Sequence, residues 1–347
     1  MPLLEVDQLR TSFRTDDGVV RAVDGVTFSV DRGKTLGIVG ESGCGKSVTC
    51  LTIMNLNDPR SATSEGVARF DDIDLLSASP EQVRRLRGDR ISMIFQDPMT
   101  SLNPVKSIGW QLEEAVLVHH DVTRSEAHSR ALEALNSVRI PRAEQRIGDY
   151  PHQFSGGMRQ RVMIAMALIN KPELVIADEP TTALDVTTQA QILELLNQLQ
   201  QELGMAIIMI THDLGVVAEA ADDVVVMYGG QIVEQGVVDD IFYRPRHPYT
   251  WGLLSSLPRV DIEVERLEQI PGQPPSLLKP PSGCRFHPRC SFTMNICASD
   301  VPELRAAGDR LHKDRCWLDD TTKSRESARV VESLQRSGST EEIGSRR

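Results

Sequence analysis

The stretch GESGCGKSV, Gly40 to Val48, decides how this chain folds. It follows a short apolar run of strand character, residues 34–39, and precedes residues at helical spacing. Gly40 to Ser47 fit the pattern G-x-x-x-x-G-K-[ST] in its strand-to-helix setting, a fit that a glycine-rich turn with a chance lysine rarely achieves. The chemistry accounts for the residue types. Gly40, Gly43 and Gly45 let the backbone wrap closely around an anion. The loop N–H groups and the positive helix start then face phosphate. The phosphate-binding set is therefore Gly40, Glu41, Ser42, Gly43, Cys44, Gly45, Lys46, Ser47 and Val48. Lys46 reaches the β/γ-phosphates and the Ser47 hydroxyl can ligate Mg²⁺. Cys44, just before a helix N-terminus, is expected to be a lowered-pKa, reactive thiolate.

Further along, LVIADEP, Leu174 to Pro180, is an apolar run ending in two carboxylates. A buried strand that delivers acids at its carboxyl end suits an α/β nucleotide site. Successive strand residues point opposite ways, so the two acids can take separate roles. Asp178 suits a Mg²⁺ shell, and Glu179 can polarise an attacking water as general base. MAIIMITHD repeats the arrangement and places His212 where it can face the γ-phosphate. FSGGMRQRVMIAMAL, Phe154 to Leu168, sets Ser155, Gly156 and Gly157 at a second anion-ready helix start. One chain with two such starts suggests a nucleotide shared with a partner.

In that order the motifs resemble the ATPase subunit of an ABC transporter: the loop, Gln96 in MIFQDPMTSLNP, SGGMRQR, LVIADEP, TTALD and ITHD. DGVVRAVDGVTF, RHPYTWGLLSSLP and IPGQPPSLLKPPSGCRFHPRC narrow the likeness, over residues 3–318, to the dipeptide/oligopeptide (and nickel) importer branch. Cys44 departs from the family, which more often has serine there. The resemblance implies an α/β P-loop NTPase with a RecA-like core, an antiparallel β subdomain, an inserted helical subdomain and a small metal-bound C-terminal appendix. It implies ATP and Mg²⁺, with Ser47, Gln96 and Asp178 at the metal. Glu179, His212 and Gln96 are then the catalytic group, and Gln96 couples the site to the membrane. Ser155, Gly156, Gly157 and Gln160 serve the ATP of a second ABC ATPase subunit, in a homo- or heterodimer. The remaining partners are two membrane-spanning permeases and, indirectly, an extracellular substrate-binding protein. The chain would sit peripherally at the cytoplasmic face of the cell membrane.

Bulk properties agree. The net charge of −11 disfavours a nucleic-acid surface, and no apolar run approaches the roughly 20 residues of a membrane span. A start without export character points to a reducing cytosol. The alternative is a soluble ABC-type ATPase acting on DNA or ribosomes; such chains tend to carry coiled-coil insertions, paired cassettes or basic arms, none of which is found here.

The expected organisation is residues 1–96, the N-terminal part of the core; 97–154, helical; 155–245, the rest of the core; 246–318, a cysteine-rich extension; and 319–347, a polar tail disordered over its last ten residues or so. The stripe Ile192, Leu195, Leu196, Leu199 and Leu203 reads as core packing, with Gly204 as helix stop. In the extension, Cys284, Cys290, Cys297 and Cys316 can hold a [4Fe–4S] cluster or a tetrahedral zinc, and their spacing does not choose. The importer likeness implies the cluster. The extension has too few apolar residues for a core of its own, so the metal is expected to staple it, apart from the phosphate loop.

Overall fold

Three fully buried apolar runs, Ile91–Ile94, Leu174–Asp178 and Ala206–Thr211, leave no polar face. That is the signature of parallel strands covered on both sides. They pair in parallel, Ile91 beside Leu174 and Leu174 beside Ala206. The computed structural model describes residues 2–182, 184–256, 270–307 and 311–335. They divide into two units.

One unit takes Val30–Lys34 and Ser77–Ile210, with the first residues through Leu3. It contains these parallel strands and the helices Ile108–Leu117, Arg124–Ser137, Gly156–Leu168 and Val186–Leu203. All four start the same way. Ser107, Thr123, Ser155 and Asp185 each accept a hydrogen bond from the backbone N–H three residues on, satisfying a donor the helix leaves open. In the last helix Ile192, Leu195, Leu196 and Leu199 are buried while Leu203 is exposed. Gly204, at φ 66, ends it as expected.

The other unit takes Leu4–Ser29, Thr35–Leu76 and the described residues from Thr211 onward. An antiparallel sheet orders its strands Gly18–Val30, Leu4–Thr15, Ala62–Phe70, Ile73–Asp74. A mixed set pairs Thr35–Val39 in parallel with Asp223–Tyr228. Gln231–Val237, Lys313–Asp314 and Arg305–Ala306 follow in antiparallel order.

The extension departs from the expectation of a stapled appendix without a core. Helix Pro248–Ser255 gives Tyr249 and Leu254, and the cysteine-rich segment gives Phe286, to one apolar cluster with Val226, Tyr228 and Val233. Cys284 and Cys290 pack against that cluster. The sequence count considered the extension alone, whereas its apolar residues complete a core that the strands began. The polar tail also begins as a helix, Asp320–Gln335, with Val331 and Leu334 buried. The last ten residues, read as disordered, lie outside the described residues. Among the described residues no helix is long and apolar enough to cross a membrane.

Candidate functional site

The loop Gly40–Ser47 closes by backbone approaches that only glycine tolerates. Gly40, at φ 149, lies so near the Met227 carbonyl that any side chain would strike it, and Gly45, at φ 105, is crowded in the same way by the Ala22 carbonyl. Gly45 is also the N-cap of helix Lys46–Ile53, whose first turn carries no acid to compete with a bound anion. The Lys46 ammonium is buried and donates to the carbonyls of Gly40 at 2.6 Å and Glu41 at 3.1 Å. Ser42 and Gly43 are exposed; Glu41, Ser47 and Val48 are half-buried.

Cys44 contradicts its expectation. It is 5% exposed, and burial pushes its thiol pKa up, against the lowering pull of Lys46 and of nearby backbone N–H groups. The helix-start argument assumed a solvated sulfur; this one is desolvated, and that effect wins.

In the other unit, Asp178 ends the buried strand Leu174–Asp178, and Glu179 follows at φ 47. A non-glycine residue in the left-handed region stores strain. The turn aims the Glu179 carboxylate: Oε2 accepts from Gln96 Nε2 at 3.1 Å and from Thr182 Oγ1 at 2.8 Å. Gln96 and Glu179, chosen separately from the sequence, thus share a hydrogen bond. In the unit that holds the phosphate loop, His212 is exposed immediately after Thr211, and Asp213 caps the next helix by accepting from the Gly215 N–H at 2.8 Å.

Ser155 and Gly156 stand exposed at the start of helix Gly156–Leu168. Gln160, expected beside them, is instead buried one turn on, and its Nε2 makes no hydrogen bond among the described residues.

Cys284, Cys290, Cys297 and Cys316 are free thiols. They share one neighbourhood: Cys284 interacts electrostatically with Cys290, Cys297 and Cys316, and the Cys284 N–H donates to the Cys297 carbonyl at 2.8 Å. Burial pushes Cys290 up to about 11 and Cys316 up to about 12. Among the described residues no group of three or more His, Cys, Asp or Glu is placed to hold a metal ion. Four thiols in one neighbourhood are, by their chemistry alone, ligands for either an iron–sulfur cluster or a zinc ion.

Sequence reasoning missed how this segment reaches the phosphate loop. Arg289, between Pro288 and Cys290, forms an ion pair with Glu41 at 2.6 Å, and the Glu41 N–H donates to the Tyr249 hydroxyl at 2.8 Å. The extension is therefore not apart from the loop. The only signal in the sequence was an arginine with no assigned task.

Comparisons with known proteins agree with the geometry. The ABC transporter family matches residues 23–182, and the oligopeptide/dipeptide transporter C-terminal region matches residues 233–297. The chain is 51% identical to the dipeptide transport ATP-binding protein DppD of Bacillus subtilis over 319 residues, 92% of this chain and 95% of that protein. It is 52% identical to the oligopeptide transport ATP-binding protein OppD of the same organism over 318 residues, 91% and 88% of the two chains. Among solved structures, a dimeric ATP-binding cassette in a post-hydrolysis state with ADP and Pi superposes with a TM-score of 0.61 at 27% identity, covering 68% of this chain and 98% of that one.

Proposed function

The chain belongs to the ATP-binding subunits of ABC transporters of the oligopeptide/dipeptide type, and from that premise we propose how its residues drive peptide import. Its ABC cassette fold hydrolyses ATP for transport. The relatives' peptide-transport names support import over action on DNA or ribosomes.

One observation carries the mechanism: Glu179 sits in a strained turn at the end of a buried strand, its carboxylate held by Gln96 and Thr182. In the proposed reaction the loop N–H groups and Lys46 hold the β/γ-phosphates. Ser47, Gln96 and Asp178 would hold Mg²⁺, which neutralises charge on the phosphates. Glu179 orients the attacking water and takes its proton, and His212 steadies the γ-phosphate. Ser155, Gly156 and Gly157 complete the ATP site of a second ATPase subunit, alike or related. Two permease subunits carry the peptide and an extracellular binding protein delivers it, with this chain peripheral at the cytoplasmic face.

Cys284, Cys290, Cys297 and Cys316 would hold a [4Fe–4S] cluster, with zinc as the alternative. Such a group would tie residues 284–316 together and compensate the charge of buried thiolates.

The test is the transporter reconstituted with its permeases, made anaerobically with ample iron. Added peptide is expected to stimulate ATP hydrolysis. Glu179→Gln is expected to keep Mg-ATP binding and to lose turnover by roughly 10²–10⁴-fold, the usual worth of a general base. Wild-type turnover in that variant would refute the assigned base. About four irons per chain would support the cluster; zinc without iron, or neither, would reject it.

A further inference from the structure

Glu41 is gripped at three points. Its N–H donates to the Tyr249 hydroxyl at 2.8 Å. Its carbonyl accepts from Lys46 Nζ at 3.1 Å. Its carboxylate accepts from both terminal nitrogens of Arg289, Nη1 at 2.6 Å and Nη2 at 3.0 Å. Two of the three partners, Tyr249 and Arg289, come from the C-terminal extension.

Arg289 is itself held. Its Nε donates to the Pro271 carbonyl at 2.7 Å, Nη2 to the Ile270 carbonyl at 3.2 Å, and Nη1 to the Tyr228 hydroxyl at 3.3 Å. With the two bonds to Glu41, each of its three nitrogens is engaged. A guanidinium has five N–H donors in a rigid fork, and its side chain here is 5% exposed. This is unlike a surface ion pair, which wanders in solvent and contributes little. It is a fixed bidentate clamp of the kind that sets geometry.

The electrostatics give the clamp a purpose. A carboxylate in a loop built to receive polyphosphate repels the ligand unless a cation compensates it. Lys46, the loop's own cation, donates to the carbonyls of Gly40 and Glu41 and is the residue assigned to the phosphates, not to the Glu41 carboxylate. Arg289 supplies the compensating charge from the side of Glu41 that faces the extension. It also fixes the residue whose carbonyl Lys46 holds.

We propose that Arg289 is a positioning residue for ATP: acting through Glu41, it holds the phosphate loop in its binding shape and cancels the loop's one carboxylate. The proposal rests on the ATPase reading above and makes the C-terminal extension part of the nucleotide site.

The test titrates Mg-ATP onto the full-length chain, with the thermal midpoint of every variant measured alongside. Arg289→Met is expected to weaken binding roughly tenfold or more, and Arg289→Lys to restore part of the loss. In a Glu41→Gln background the same Arg289→Met change is expected to cost less than threefold, because the charge to be cancelled is gone. Arg246→Gln is the control: within the extension Arg246 pairs with Asp314 at 2.6 Å, and it makes no hydrogen bond to the loop among the described residues. It is expected to lower the midpoint while leaving Mg-ATP affinity within twofold. In the assembled transporter Arg289→Met is expected to raise KM for ATP and leave kcat within twofold. Three results would overturn the proposal: wild-type affinity in Arg289→Met, an equal loss in Arg246→Gln, or a full loss in the Glu41→Gln background. A wild-type chain that binds no Mg-ATP would instead overturn the ATPase reading itself.

Discussion

Cys44 shows opposing effects meeting in one side chain. Lys46 and nearby backbone N–H groups stabilise the thiolate, and burial destabilises it more. A buried, protonated sulfur is a poor nucleophile. In the native chain at pH 7, N-ethylmaleimide is therefore expected to leave Cys44 unmodified, while the unfolded chain takes label on all six cysteines. Peptide mass spectrometry after a short pulse reads this directly. Labelling of native Cys44 at the rate of a free thiol would show that the sulfur is solvated. The same residue marks what the sequence could convey. The loop's shape and the places of Lys46 and Ser47 were legible because they depend on spacing within eight residues. The state of Cys44 was not, because burial is set by chain from elsewhere. The Arg289–Glu41 pair was hidden for the same reason, its partners lying 248 positions apart.

Among the elements, helix Pro248–Ser255 has an uncommon cap. His247 is its N-cap, and its Nδ1 accepts from the Tyr249 N–H at 3.0 Å. Only the neutral ring can accept there, and a protonated ring would lose the cap. Burial pushes the His247 pKa down from 6.5 to about 4, with Asp314 pulling the other way. The sign follows from proton uptake. Between pH 6.5 and 4 the unfolded chain binds a proton at this histidine and the folded chain does not, so stability is present in full above 6.5 and is lost as pH falls toward 4. At pH 5, one and a half units below the unfolded value, the loss is roughly 2 kcal/mol. His247→Asn keeps an acceptor at the cap and removes the titration. Its midpoint in urea is expected to fall less than wild type between pH 7 and pH 5. Parallel falls would mean that His247 is protonated in the fold. The helix Asp320–Gln335 offers a second lesson at this scale. Asp319 accepts from the Thr322 N–H at 2.9 Å, a start signal present in the sequence. Lys323, Ser327, Val331 and Leu334 form its buried stripe. Only two of these four are apolar, so composition spoke for a tail. What decides is the Lys323 ammonium, which reaches Asp314 at 2.6 Å.

At the scale of the whole molecule, the motifs between Gly40 and Asp213 announced the nucleotide-binding fold, and the extension was misread as an appendage. Motif spacing reports on sites, whereas a core is shared by residues far apart in the chain. Tyr249, Leu254 and Phe286 of the extension are buried in the cluster built on Tyr228 and its neighbours, and the Tyr228 and Phe286 rings meet edge to face at 5.1 Å. Burying a large apolar side chain contributes about 1.5–3 kcal/mol. Three together contribute roughly 5–9 kcal/mol, comparable with the whole stability of a typical domain, about 5–15 kcal/mol. A chain ending at residue 245 would open that cluster to water, strip Tyr249 and Arg289 from Glu41, and leave the buried Glu234 carboxylate without His312, its partner at 2.7 Å. An uncompensated buried charge adds a further penalty. The shortened chain is therefore expected to be insoluble, or to unfold at least 10 °C below the full chain, and to bind Mg-ATP weakly at best. An appendage attached to a self-sufficient cassette predicts the reverse. If the chain ending at residue 245 were soluble, with the thermal midpoint and Mg-ATP affinity of the full chain, the shared core would contribute nothing and the extension would be dispensable to the fold.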